Sequence, residues 1–189
     1  NTGSMEIDGQ NFRYLSLDNY RSQNTLIDGK PVFFGATIEE NLRKVQPGIS
    51  EREFQEVLEI SGLQKVLDQL PEGISTEVNQ FGMPLSQGDR VTFALARGLM
   101  SGPRILLIDE ALAHLDKSTQ ISFFENFSKI SELKTVIMAT HDLRSTAQFE
   151  QIIVLEKGVV VGHGTHDELL KTCVLYQELW AMEKKLTGA

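Results

Sequence analysis

The strongest constraint on the fold is a run of four apolar residues, Ile105-Leu106-Leu107-Ile108, that stops at two adjacent carboxylates, Asp109 and Glu110. A continuous apolar run of this length suits a strand buried on both faces, as in parallel sheets covered by helices. In an open parallel sheet, ligands bind beyond the carboxyl ends of the strands, which is where these two acids would sit. Paired negative charge there suits a magnesium ion with one carboxylate and an attacking water with the other. A second run, Thr135 to Thr140, reads as another buried strand and ends at His141. That position separates His141 from His114, His163 and His166, which fall in turns or at a helix start.

The bulk properties narrow the setting. A chain of 189 residues is long enough for one domain with its own core. No apolar run approaches the roughly 20 residues needed to cross a bilayer, so direct membrane insertion is not expected and any membrane link comes through another segment or subunit. A net charge of −8 argues against a nucleic-acid surface, which needs a concentrated basic face. The single cysteine, Cys173, excludes an internal disulfide and suits a reducing compartment. It lies in a helical apolar pattern and reads as core packing.

Along the chain, residues 4 to 9 read as a short strand closing on the turn dipeptide Asp8-Gly9, followed by a polar stretch from Leu15 to Ser22. Thr25 to Ile27 suggests a strand ended by Asp28-Gly29-Lys30-Pro31. Thr37 with Glu40, Ser50 with Glu53, Ser86 with Asp89 and Thr165 with Glu168 have capping-box spacing and mark four helix starts. Two helices are expected between Ser50 and Leu70, with Phe54, Val57 and Leu58 on one face and a break at Gly62. Val91, Ala94, Leu95 and Leu99 give the helix after Ser86 an apolar face, and Ile121, Phe124, Phe127 and Ile130 predict a stripe on a later one. Gln151 to Leu155 and Val159 to Val161 read as a hairpin. Leu169, Cys173, Tyr176 and Trp180 share a face of one last helix.

Several of these segments carry a family resemblance. Leu85-Ser86-Gln87-Gly88-Asp89-Arg90 resembles the LSGGQ signature motif of ABC-type ATPases. Ile105 to Glu110 resembles Walker B, Ala113 to Asp116 the D-loop, and His141 the H-loop histidine, all at the family's spacing. Gly3 to Gly9 is similar to the GSIxIDG strand, Phe33 to Leu42 to LFSGTIRENI, and the tail from Gln151 to IIVLExGxIVExGTHxELL. Thr76 to Gly82 partly matches TEVGERG, the X-loop that marks exporters. The resemblance implies an α/β fold, P-loop NTPase-like. It would have a mostly parallel sheet and a helical signature subdomain at about 38–100 inserted in the α/β core, within one partial ABC ATPase domain over 1–189.

The resemblance also implies roles. Asp109 would hold Mg2+, Glu110 would polarise the attacking water, and His141 would contact the γ-phosphate of ATP. Ser86 and Gly88 would act in trans on a partner's nucleotide, with Asp116 coupling the two sites. The implied partners are a second ABC ATPase domain, as homo- or heterodimer, and a transmembrane domain. The implied location is the cytoplasmic face of the inner membrane.

Three departures qualify this picture. The register places Gly29 where the family has its Q-loop glutamine. Gln87 and Asp89 replace a glycine and a glutamine of the signature, and Asp89 adds negative charge near a phosphate unless it caps its own helix. No G-x-x-x-x-G-K-[ST] is present in these residues, so the phosphate cradle and its lysine are missing and the fold is expected to be incomplete at the N-terminus. The sheet should then show an empty position between or beside the Walker B and H-loop strands. Two functions follow: an ATP-hydrolysing exporter domain, inactive as this chain alone, or a degenerate half that completes a partner's ATP site. A DNA-repair ATPase of similar motifs would need long heptads and basic faces, and neither occurs.

Overall fold

The computed structural model describes residues 3–131 and 134–187, in two compact units, 1–139 and 140–189. The first unit begins with a hairpin of β1 (Glu6–Ile7) and β2 (Gln10–Asn11) rather than one strand. Asp8 and Gly9 both have positive φ, 50° and 74°, the backbone that a tight two-residue hairpin turn requires. The polar stretch that follows is a helix, α1 (Leu17–Gln23), started by Ser16 Oγ accepting from the Asn19 amide. It buries no residue, so no apolar periodicity announced it.

The rest of this unit runs β3 (Asn24–Ile27), β4 (Ala36–Thr37), α2 (Ile38–Arg43), α3 (Glu51–Ser61), α4 (Leu63–Leu67), β5 (Glu77–Val78), α5 (Gln87–Met100), β6 (Ile105–Asp109), α6 (Lys117–Ser131) and β7 (Thr135–Ala139). Complete capping boxes start α2 at Thr37, α3 at Ser50 and α5 at Ser86, each satisfying amides that the first turn leaves unpaired. Gly62, at φ 79°, separates α3 from α4. The side chains of Phe33, Ile38, Leu42, Phe54, Leu58 and Phe93 interlock with others of α2–α5 in a closed core.

β3, β6 and β7 form a parallel sheet in that order, with Ile27 opposite Ile108 and Ile108 opposite Met138. Ile27, Leu106 and Ile108 are buried on one face. α5 approaches that face closely at Gly98, where a Cβ would lie 2.9 Å from Ile27 Cδ1. On the other face Leu26, Leu107 and Ile137 stand side by side across the three strands, with Leu26 59% and Ile137 57% exposed. β7 is therefore not buried on both faces, and among the described residues it has a strand neighbour on one side only. β6 and β7 pair directly, so no strand position lies open between them, and β3 likewise has a strand neighbour on one side only among the described residues.

α6 packs through a different phase from the one expected. Phe123 is 1% exposed and Phe127 is buried, whereas Ile121 is 59% exposed and Phe124 is half-buried. The side chain of Ile130 lies outside the described residues. The cluster Phe123–Phe124–Phe127, with ring centroids 5.4 to 6.1 Å apart, offers two apolar phases, and packing selects the one through Phe123.

The second unit continues from Thr140 through a 3-10 segment, Leu143–Gln148, to a hairpin of β8 (Ile152–Glu156) and β9 (Val159–Gly164). Its end is two helices rather than one, α7 (His166–Thr172) and α8 (Val174–Thr187), because Cys173 between them is extended. Ile152, Val154, Leu169, Cys173 and Tyr176 form its core, so Cys173 is a packing residue. No helix among the described residues is long and apolar enough to cross a membrane.

Candidate functional site

β6 carries Asp109 to the carboxyl end of the sheet and leaves both Asp109 and Glu110 exposed. The Glu110 amide donates to Ala139 O at 3.0 Å, tying the turn to the end of β7. Glu110 has φ 49°, ψ 7°, a left-handed conformation uncommon outside glycine, and it turns the chain sharply into a 3-10 segment at Ala111–His114. Ala111 and Leu112 are buried behind it, so the carboxylates stand on a packed floor. No group of three or more His, Cys, Asp or Glu side chains capable of holding a metal occurs among the described residues. Asp109 could supply one carboxylate to a magnesium ion, whose shell nucleotide phosphates and water would complete.

Gly29 lies in the loop that leaves β3 beside these acids. It is buried at φ 73°, and a Cβ there would sit 3.5 Å from Val91 Cγ2 and 3.6 Å from Ala111 Cα. Space exists for a side chain, but the backbone conformation disfavours one. The loop is held by the Asp28 carboxylate accepting from the Lys30 amide at 3.0 Å, and by the Arg97 guanidinium of α5 donating to Val32 O.

At the start of α5, Ser86 Oγ accepts from the Asp89 amide at 3.2 Å and Asp89 Oδ2 accepts from the Ser86 amide at 2.9 Å. The carboxylate that looked unfavourable beside a phosphate is thus turned back on its own helix. Gly88 follows in the first turn, where its carbonyl accepts from Thr92 Oγ1 at 3.1 Å. Asp116 is the cap of α6. Its Oδ1 accepts from the Ser118 and Thr119 amides at 2.9 and 3.0 Å and from Ser118 Oγ at 2.6 Å, and its Oδ2 accepts from Thr119 Oγ1 at 2.6 Å. The hydrogen bonds from Ser118 and Thr119 hold its carboxyl far below the ordinary range.

His141 belongs to the second unit, where it is exposed and immediately precedes a side-chain cluster that the sequence reading passed over. Asp142 caps the 3-10 segment by accepting from the Arg144 amide, and the Arg144 guanidinium bonds both Asp142 oxygens. The available signal was the Asp-x-Arg spacing directly after the histidine. His166, assigned no role, has Nδ1 2.8 Å from the Tyr176 hydroxyl.

A cavity of about 560 Å³ in the first unit lies at the other end of the sheet, beside Asn24, Ile105 and Thr135, the first residues of β3, β6 and β7. Within its lining Gln23 Nε2 donates to Asn19, Asn24 Nδ2 to Tyr20 O and Lys134 to Pro103 O, while the buried Asn24 Oδ1 has no hydrogen-bond partner, and we assign the cavity no chemistry.

Residues 1–113 match the family described as "ABC transporter". The chain is 33% identical over 177 residues to ABC transporter B family member 3 of Dictyostelium discoideum, covering 94% of this chain and 12% of that protein. It is 29% identical to ATP-binding cassette sub-family B member 6 of Mesocricetus auratus, covering 97% of this chain and 22% of that protein. It is 33% identical to the ABC transporter ATP-binding protein YknV of Bacillus subtilis, covering 94% and 29%. The chain thus spans between 12% and 29% of the length of these relatives. In three dimensions it matches a bacterial Atm1-family ABC exporter solved with ATP bound, at TM-score 0.89 and 30% identity over 96% of this chain and 32% of that one. The carboxylates at the end of β6, the capped helix α5 and these matches agree: the chain belongs to the ABC transporter family, with the α/β fold of an exporter-type ATPase domain.

Proposed function

We propose that the chain acts in ATP hydrolysis that drives export, within a head-to-tail pair of ABC ATPase domains joined to a transmembrane domain at the cytoplasmic face of the cell membrane. The observation that carries this reading is the exposed pair Asp109–Glu110 at the carboxyl end of a central parallel strand, on a chain of this family. Asp109 would hold Mg2+, which would supply positive charge to offset that of the phosphates. Glu110 orients and polarises the water that attacks the γ-phosphorus. His141 contacts the γ-phosphate. Ser86 and Gly88, at the electropositive start of α5, meet the nucleotide held by the partner domain, and Asp116 links the two sites. The helices between residues 38 and 100 form the lobe that carries the signature motif.

The 189 residues hold no phosphate-binding loop, so the chain is inactive alone and the cradle comes from another segment. A strand bearing that loop fits the edge of β7 that has no strand neighbour among the described residues, and a helix after it fits the sheet face carrying exposed Leu26 and Ile137. In a protein that includes this segment, Glu110→Gln is expected to lower ATP turnover about 100-fold or more while ATP-driven dimerisation persists, as loss of a positioned general base predicts. Unchanged turnover overturns the assignment.

Gly29 and Gln87, where the family has its Q-loop glutamine and a signature glycine, favour a second reading, a degenerate half that completes a partner's ATP site without hydrolysing its own. ATP hydrolysis measured with and without a partner bearing the phosphate loop separates the two. Activity of a homodimer excludes the second reading.

A further inference from the structure

The segment after His141 is held by α8 at two points. At the near end, Arg144 is a fork between two acids: Nε and Nη2 donate to Asp142 Oδ1 and Oδ2 at 2.9 and 3.0 Å, and Nε lies 3.0 Å from Glu183 Oε1 on α8. The side chains of Asp142 and Glu183 are 18% and 20% exposed, so both charges sit largely out of water and depend on the guanidinium. At the far end, Thr146 Oγ1 lies 2.8 Å from the hydroxyl of Tyr176, also on α8, and that hydroxyl is 2.8 Å from His166 Nδ1. Tyr176 and Glu183 are two turns apart and therefore on the same face of α8. Inside the segment, Ser145 Oγ donates to Asp142 O and Thr146 Oγ1 to Leu143 O, so the two anchors are connected by a stiff 3-10 turn.

His141 is the residue next to the first anchor. Asp142 has both carboxylate oxygens committed to Arg144, and its amide donates to Thr140 Oγ1 at 3.0 Å. The backbone on either side of His141 is thereby fixed, while its ring is exposed. We propose that α8 is a positioning device for His141, acting through the Glu183–Arg144–Asp142 relay and the Tyr176–Thr146 contact. Glu183 and Tyr176 are positioning residues rather than catalytic ones. The proposal rests on the reading that His141 serves the phosphate of the nucleotide.

The test uses the protein that includes the phosphate-binding segment, with Glu183→Gln, Tyr176→Phe and the double variant. Each single variant is expected to lower kcat for ATP about three- to tenfold with KM within about twofold, the loss that one hydrogen bond's worth of orientation implies. Glu178→Gln, an exposed neighbour on α8, serves as the control with unchanged kcat. In a His141→Ala background, Glu183→Gln and Tyr176→Phe are expected to have no further effect, because the group they position is gone. Effects that multiply in that background, or single variants with unchanged kcat, overturn the proposal. A second arm reads placement without catalysis, through the Cε1–Hε1 resonance of His141 in the 189-residue chain. That resonance is expected to move in Glu183→Gln and Tyr176→Phe and not in Glu178→Gln. An unmoved resonance overturns the proposal. A moved resonance with a hydrolysis rate indifferent to His141→Ala overturns instead the role given to His141.

Discussion

Within the first unit, the helical cluster of α2–α5 and the three-stranded sheet treat apolar surface in opposite ways. The helical cluster closes on itself, with Phe33, Ile38, Leu42, Phe54, Leu58 and Phe93 all buried. The sheet buries one face against α5 and leaves Leu26 and Ile137 open on the other. The difference is in their neighbours. The helices carry their own cover, while β3, β6 and β7 need a further layer to bury their second face.

The largest expected effect breaks the closed side of this contrast. Phe93, stacked on Phe33 at a centroid distance of 4.7 Å, should cost about 3–5 kcal/mol when replaced by alanine, read by urea unfolding of the chain. An effect below about 1 kcal/mol would mean that the helical core is not sealed. Asp116→Ala, which removes the cap of α6, should cost about 1 kcal/mol at neutral pH. Because the folded carboxyl titrates far below its unfolded value, this contribution is present above about pH 4. It is lost as pH falls toward the folded pKa, so the stabilities of Asp116→Ala and the parent chain should converge in acid. The smallest effect belongs to the open face. Ile137→Ser should change stability by no more than about 0.5 kcal/mol in this chain. In a protein that includes the phosphate-binding segment, the same substitution should cost about 2 kcal/mol or more. Equal costs in the two settings would erase the distinction between closed and open faces.

Local chemistry was the most legible part of the sequence. The pairs Thr37/Glu40, Ser50/Glu53, Ser86/Asp89 and Thr165/Glu168 all form complete capping boxes, because such a box needs nothing beyond residues three apart. β6 and the acids at its end were legible for a similar reason, since an apolar run stopped by charge carries its own boundary. What depended on neighbours was harder to read. Thr135 to Ala139 looks like a buried strand, but whether Ile137 is covered is decided by what lies beside β7. The adjacent rings Phe123 and Phe124 permit two phases for α6, and only packing chooses. α1 hid because it has no apolar stripe, although Ser16 could have marked its start. Of the candidate site, the placement of Asp109 and Glu110 at the end of β6 and of Ser86 at the start of α5 was readable, whereas the left-handed backbone of Gly29 and the clamp on Asp142 arise from contacts made after folding.

Under its proposed role, the conformation of Glu110 sets stability and activity against each other at one position. A left-handed backbone on a residue with a Cβ costs about 1–2 kcal/mol relative to one that tolerates it. Glycine at 110 would remove that cost and make the chain harder to unfold, while deleting the carboxylate proposed to polarise the attacking water. On that proposal, selection for thermal resistance and selection for activity would rank the same substitution in opposite order. A glutamate stands where the backbone disfavours a side chain.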